Sequence, residues 1–118
     1  MKQIEETINK YFKGFSQAEP QLVSEAFHPD SRLYSVDDGK LDRTEVRDWL
    51  VNLHKRKEIG EKREGTLEIL SVDQTKDAAI AKVKITFKSV EFIDYLSLLN
   101  FDGAWKVVGK IYTANSLS

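Results

Sequence analysis

The sequence predicts an α+β domain in which three N-terminal helices pack on a strongly curved antiparallel sheet, forming a cone with an internal pocket. Apolar residues recur at helical spacing in three segments before Gly60, whereas two-residue alternation dominates after Gly65. The 118 residues are 41% hydrophobic and 31% charged, which is typical of a globular chain that can bury its own core. We therefore expect residues 1–118 to form a single domain.

The first two helices are predicted from an apolar stripe and from two prolines. The stripe of the first helix comprises Ile4, Ile8, Tyr11, Phe12 and Phe15. Pro20 suits the first turn of a second helix, whose apolar face includes Phe27. Pro29 is predicted to end that helix, because a residue before proline avoids the α region.

A short strand and a third helix are predicted next. Arg32–Val36 is read as extended, and the Asp-Asp-Gly sequence at 37–39 is a turn signal. Asp42 is predicted to begin the third helix, because Glu45 three residues later completes a capping-box pattern. The buried stripe of this helix is predicted to be Val46, Trp49, Leu50 and Leu53.

Antiparallel strands are predicted for the remainder of the chain. Ala79–Lys88 alternates strictly between small or apolar residues and mostly polar ones, as a strand with one wet face does. It is preceded by a strand at Thr66–Asp73 and followed by one at Val90–Phe101. The Asp-Gly pair at 102–103 is a hairpin signal and introduces the last strand, Ala104 to about Ala114.

Composition excludes several classes of function. The chain has no cysteine and two histidines, so we expect no disulfide and no cysteine-based metal site. A Gly-rich phosphate loop is also absent from the sequence, and we expect no cofactor. A net charge of −1 provides no positive field for nucleic acid or an anionic membrane. The N-terminus lacks the apolar core of a signal peptide, and we expect a cytoplasmic protein.

Three stretches carry a resemblance to a known family. They are residues 11–33, with Tyr-x-x-Gly and Ala-Phe-His-Pro-Asp elements, the segment DDGKLDRTEVRDWL, and residues 92–112, with Asp-Tyr-Leu-Ser-Leu-Leu and Asp-Gly-x-Trp-Lys elements. The chain resembles the nuclear transport factor two-like superfamily, which has a cystatin-like cone fold, and more narrowly the family labelled putative lumazine-binding. The resemblance implies a cavity-bearing fold, and this fold hosts isomerases, dehydratases, cyclases and plain binding modules.

Asp94 and His28 are the candidate catalytic residues. Asp94 shares one strand face with Phe92, Leu96 and Leu98, and a carboxylate in an apolar row must be bonded or protonated. We therefore predict that it points into the cavity, within reach of a tyrosine or histidine. His28 could act as a general acid or base near the turn at Pro29, or it could simply bond local backbone.

The candidate ligand-binding residues are mostly aromatic, since an aromatic side chain offers both a stacking face and a polar tip. They are Tyr11, Tyr34, Trp49, His54 and Asp94. His54 borders the apolar face of the third helix, next to a run of basic residues, and is as easily placed in solvent. Metal ligands with a recognisable spacing are absent from the sequence.

These features leave three hypotheses for function. The first is a protein that binds an apolar or fused-ring small molecule, and the volume of the cavity would test this hypothesis. The second is a cofactor-independent isomerase or dehydratase that transfers a proton in the same cavity, as ketosteroid isomerase-like enzymes do. The third is a non-catalytic dimerisation module. A homodimer through the outer sheet face is expected, because the last two strands carry apolar residues on both faces.

Overall fold

The computed structural model describes residues 2–117 as three helices and six strands. The helices are α1 (Lys2–Ser16), α2 (Pro20–Ala26) and α3 (Val46–Glu58). The strands are β1 (Phe27–Asp37), β2 (Lys40–Glu45), β3 (Gly65–Thr75), β4 (Ala78–Phe87), β5 (Val90–Phe101) and β6 (Ala104–Ser116). The predicted α+β class is therefore confirmed.

The six strands form one mixed sheet in the order β2-β1-β6-β5-β4-β3. Four of its ladders are antiparallel, but β1 runs parallel to β6, with Leu33 opposite Lys110. The prediction of a purely antiparallel sheet was wrong at this ladder. The reason is that β1 and β6 are far apart in sequence, so no hairpin connection constrains their relative direction.

The first half of the chain contains more strand than the sequence indicated. The segment at Asp42, predicted to open the third helix, belongs to β2, and α3 begins at Val46 without a side-chain cap from Glu45. A capping box is a local preference, and here the ladder between β1 and β2 satisfies the same backbone groups instead. The second helix ends at Ala26, so Phe27 and His28 already lie in β1.

The helices and one face of the sheet share a single apolar core. Ile8, Phe27 and Val46 are buried, as the helical stripes predicted, and Val83 and Ile85 are buried on the apolar face that the alternation of Ala79–Lys88 predicted. Phe12 and Leu50 are only partly buried and pack against the edge of this core, because Tyr11 and Phe15 occupy the central line of α1.

Gly14 allows α1 and α2 to pack closely. A side-chain carbon at Gly14 would come within 2.6 Å of a methyl group of Val23 and 2.9 Å of the carbonyl oxygen of Glu19. This contact explains the glycine of the Tyr-x-x-Gly element, because a larger residue would push α2 away from the turn of α1 that carries Tyr11.

A β-bulge in β6 decides which side chains face the core. Leu98 pairs with Val107, whereas the preceding residue of β5, Ser97, pairs with Gly109, so Val108 is an extra residue on β6. Trp105 and Val107 are buried before the bulge, and Lys110 is buried after it. The bulge therefore turns Lys110 toward the helices, since strict alternation from Val107 would point it outward.

None of the helices within residues 2–117 has both the length and the apolar character needed to span a bilayer.

Candidate functional site

A chain of hydrogen bonds joins three buried polar side chains between α1 and the sheet. Lys110 Nζ donates to Tyr11 Oη over 2.7 Å, and Tyr11 Oη donates to Asp94 Oδ2 over 2.5 Å. Lys110 Nζ lies 3.7 Å from Asp94 Oδ2. We call these three residues the polar triad. A positive donor, a hydroxyl and a carboxylate in this order can relay a proton without a net change in charge.

Burial sets the acid–base properties of the triad. The exposed fractions of the Lys110 and Asp94 side chains are 5% and 0%. Burial lowers the pKa of the Lys110 ammonium, and the nearby Asp94 charge opposes this shift in part. Burial, followed by the negative charge of Asp94, raises the pKa of the Tyr11 phenol well above its ordinary value, so Tyr11 stays protonated at neutral pH.

The carboxylate of Asp94 is only half satisfied. Its Oδ2 atom is bound by the triad, whereas its Oδ1 atom is buried and has no hydrogen-bond partner within residues 2–117. An unpaired oxygen on a charged carboxylate costs more than one on a neutral acid. The unpaired Oδ1 atom therefore adds to the cost of burying this carboxylate.

Aromatic rings surround the Lys110 ammonium. Its nitrogen lies 4.8 Å from the ring centres of Tyr11 and Tyr112, 5.0 Å from Trp49 and 5.8 Å from Phe15. Ring faces at these distances stabilise a cation. They also contribute to the burial of the Lys110 side chain, which is 5% exposed.

A cleft of about 300 Å³ opens above Lys110. Its walls include four aromatic rings contributed by α1, α3, β5 and β6, together with Leu33 and Leu53. Its polar groups are Thr44, Asn52, Arg56, Arg63 and Lys110. Largely apolar walls with a few convergent polar groups are typical of small-molecule sites.

Arg56 holds one side of this cleft in place. Its Nη1 atom donates to the Phe15 carbonyl oxygen over 2.8 Å at the end of α1, so α3 and α1 are joined at the cleft. Arg56 also pairs with Glu61 over 2.8 Å, and Glu61 lies 3.4 Å from Arg63. The rim therefore carries two guanidinium groups that share one carboxylate.

A larger groove of about 700 Å³ adjoins the cleft between the β1–β2 hairpin and strands β5 and β6. The two share Phe92 and Tyr112 as a common wall. The charged residues that line the groove, Asp37 and Asp42, are exposed. The buried chemistry therefore belongs to the smaller cleft.

The structure brings three of the sequence-predicted residues together. Asp94 faces the helices, as the alternation in β5 predicts, and its partner is Tyr11 from α1. Both residues are fully buried and contact Lys110 from behind, so neither lines the cleft directly. Trp49 does line it. The roles proposed for these residues stay predictions.

The other three candidates lie elsewhere. Tyr34 lines the larger groove. His28 accepts a hydrogen bond at Nδ1 from the Asp30 backbone over 3.1 Å and stacks on Phe101, with ring centres 5.4 Å apart, which is the local backbone arrangement that the sequence left open. His54 is exposed on α3 and is not part of the cleft, because the buried stripe of this helix passes through Leu53.

Sequence reasoning missed Lys110, the charged residue at the cleft floor. Alternation counted from Trp105 places Lys110 on the outer face, and the bulge at Val108 reverses this placement. The available signal was the Val107-Val108-Gly109 sequence, since two adjacent valines followed by glycine interrupt the alternation.

Within residues 2–117, no group of three or more histidine, aspartate or glutamate side chains is arranged to hold a metal ion.

Comparisons with known proteins agree with this architecture. A model of the family described as "Putative lumazine-binding" matches residues 1–113. "Aldolase FrzH" from Cladobotryum sp is 24% identical over 102 residues, which cover 86% of this chain and 81% of that protein.

Solved structures share the fold. An NTF2-like protein from Shewanella baltica OS155 is 26% identical with a TM-score of 0.85, covering 96% of this chain and 91% of that one. A ketosteroid isomerase-like protein from Erwinia carotovora atroseptica is 15% identical with a TM-score of 0.71, covering 98% and 94%. A protein described as having a cystatin-like fold, from Nostoc punctiforme, has a TM-score of 0.72 at 8% identity, covering 96% and 89%.

Proposed function

Because this chain belongs to the putative lumazine-binding family, we propose that it binds a flat, largely apolar small molecule in the cleft above Lys110. The observation that carries the proposal is a buried amine at the floor of an aromatic-walled cleft of about 300 Å³. Aromatic walls favour a planar ring system. The amine provides a polar group that would orient a carbonyl oxygen of the ligand.

The geometry favours binding over direct proton abstraction by Asp94. The isomerase or dehydratase hypothesis requires the carboxylate to reach a ligand, but Asp94 lies beneath Lys110 and Tyr11. A ligand in the cleft would meet the lysine first. The name of one relative, Aldolase FrzH, is consistent with a ligand that carries a carbonyl group.

Fluorescence of Trp49 tests the binding proposal. Titration with lumazine should quench the emission saturably in a Trp105→Phe variant, in which Trp49 is the remaining tryptophan. Asn52→Phe should weaken the quenching at least about tenfold, because it fills the rim of the cleft, which corresponds to about 1.4 kcal/mol. Val51→Phe, on the exposed side of α3, is the matched control. Linear, unsaturable quenching, or equal quenching in both variants, would refute the site.

A homodimer through the outer sheet face is the second part of the proposal. Tyr95, Leu99, Phe101 and Ile111 point away from the helices and are 39–56% exposed. They form an apolar patch on β5 and β6, with Ile80 of β4 beside it at 57%. A second copy is the economical cover for such a face, since two-fold dimers are the commonest oligomers.

A further inference from the structure

We propose that the Lys110 amine forms an imine with the carbonyl carbon of an aromatic aldehyde or ketone that enters the cleft. This inference rests on the proposed binding site and names the class of ligand that the site takes. The observation behind it is the placement of a primary amine at the floor of an apolar cleft, in hydrogen-bond contact with a hydroxyl that is itself bonded to a carboxylate.

The cleft gives a flat carbonyl compound access to the amine. The side chain of Lys110 is 5% exposed and lines the cleft. The ring centres of Trp49 and Tyr112 lie 5.0 and 4.8 Å from the nitrogen, and both rings line the cleft as well. An aryl ring between these walls would direct its carbonyl carbon toward Nζ, and exclusion of water favours the imine over its hydrolysis.

Burial of Lys110 favours the nucleophilic form, although the Asp94 charge and the aromatic rings oppose it in part. An amine attacks a carbonyl only when it is neutral, and lysines in apolar pockets are activated because desolvation disfavours the charged form. Burial lowers the pKa of Lys110 in this way. The polar triad gives the released proton a destination, since Lys110 bonds Tyr11 and Tyr11 bonds Asp94.

The steps balance without a cofactor. One proton passes from Lys110 through Tyr11 to Asp94, which leaves a neutral amine and a neutral acid. The nitrogen lone pair forms a bond to the carbonyl carbon, the π electrons move to oxygen, and a proton moves from nitrogen to that oxygen. The proton held by Asp94 then returns through Tyr11 to the hydroxyl group. The carbon–oxygen bond breaks, water leaves, and a protonated imine remains beside the Asp94 carboxylate.

Reductive trapping tests this inference. The protein is incubated with benzaldehyde and sodium cyanoborohydride near neutral pH, and the benzylated amines are mapped by mass spectrometry after trypsin digestion. Benzylation of Lys110 blocks cleavage there, so cleavage after Lys106 should release a modified 107–118 peptide. We expect labelling of Lys110 to exceed that of Lys106 at least about tenfold, because the cleft holds the aryl carbonyl close to the Lys110 amine, whose pKa burial lowers.

Two variants serve as controls. Lys110→Arg keeps the positive charge but removes the nucleophile, and it should abolish the modified 107–118 peptide. Lys106→Arg changes a lysine on the same strand outside the cleft, and it should leave labelling of Lys110 unchanged. In the unmodified protein alone, equal labelling of Lys110 and the surface lysines would overturn the inference.

Failure of the imine and failure of the binding site give different results. Saturable quenching by lumazine without an adduct at Lys110 would overturn the imine and leave the binding site intact. An adduct at Lys110 that forms equally fast after Asn52→Phe, with no quenching by lumazine, would overturn the cleft as the ligand site. Slower labelling in Asn52→Phe than in Val51→Phe supports both.

Discussion

Lys110 and Asp94 lie on adjacent strands, yet the hydroxyl of Tyr11 stands between their charged atoms. Lys110 Nζ and Asp94 Oδ2 are 3.7 Å apart, whereas each lies within 2.7 Å of Tyr11 Oη. A residue from the first helix therefore completes an ion pair formed by the last two strands. The hydrogen bonding of this ion pair therefore depends on the docking of α1 against the sheet.

Tyr11→Phe should lower the free energy of unfolding by about 1.5–3 kcal/mol, the usual contribution of a hydrogen bond to a charged group. The substitution keeps the ring in the core but leaves Asp94 with no hydroxyl donor. Urea unfolding monitored by circular dichroism measures the loss. Tyr34→Phe removes a hydroxyl from a half-buried ring outside the triad, and it should change stability by less than about 0.5 kcal/mol. Equal effects of the two substitutions would contradict the importance of the triad.

The lowered pKa of Lys110 predicts a stability gain in alkaline solution. Between the folded pKa and the value of 10.5 for an unperturbed lysine, the unfolded chain binds more protons than the folded one, so stability rises with pH. Relative to Lys110→Arg, which does not titrate in this range, the unmodified protein should gain up to about 1.4 kcal/mol per pH unit. Urea unfolding at several pH values up to 10.5 measures the difference. Lys40→Arg, at an exposed position, retains Lys110 and should show the same rise as the unmodified protein, and a downward slope relative to Lys110→Arg would refute the assignment.

Asp94→Asn should shift the pH dependence of benzaldehyde labelling at Lys110 toward lower pH. The Asp94 charge raises the pKa of Lys110 against the effect of burial, so its removal leaves desolvation unopposed. Labelling rates of Lys110 across a pH series, from the trapping assay, give the midpoint. A midpoint that moves upward would mean that Asp94 does not act on the amine electrostatically.

Charging the apolar patch should dissociate the proposed homodimer. Tyr95→Glu or Leu99→Glu places a carboxylate on the outer face of β5, where burial against a second copy would be unfavourable. Sedimentation velocity at micromolar concentration should show a dimer for the unmodified protein and a monomer for each variant. Val51→Glu, on the helical side, is the control and should stay dimeric. A monomeric unmodified protein would refute the interface.

The two phenylalanines at positions 12 and 27 should differ in their contribution to stability. Phe27 is 1% exposed, and truncation to alanine should reduce the free energy of unfolding by about 3–5 kcal/mol. Phe12 is only partly buried, so Phe12→Ala should reduce it by about half as much. Chemical unfolding of both variants decides the ranking.

Hydrophobic periodicity predicted most of the elements but not their exact ends. The apolar stripe of α1 and the two-residue alternation of β4 each predict one type of secondary structure, because each pattern persists over ten or more residues. The region around Asp42 does not, since Lys40–Glu45 contains one strongly apolar residue, Leu41, and it lies exposed in β2. Pairing with β1 is a tertiary effect that a local pattern does not encode.

The candidate site was half predictable for a similar reason. Asp94 could be assigned to the inner face because buried and exposed residues alternate along β5 without interruption from Asp94 to Leu98. Tyr11 could be assigned because α1 has one clear apolar stripe. Lys110 could not, because a one-residue bulge reverses the direction of every later side chain in β6, and bulges depend on how two strands pair rather than on one strand alone.

The bulge at Val108 also bears on how the chain selects one folded state. A regular pairing without the bulge would bury Ile111 and expose Lys110, and hydrophobicity alone would favour that arrangement. The native pairing instead leaves Ile111 56% exposed and encloses Lys110. The ion pair with Asp94 and the hydroxyl of Tyr11 are contacts that the native register makes and the slipped one would lose, so they discriminate between two nearly equivalent alignments of the last strand. Replacing Lys110 with an apolar residue would remove that discrimination and make the final strand conformationally ambiguous.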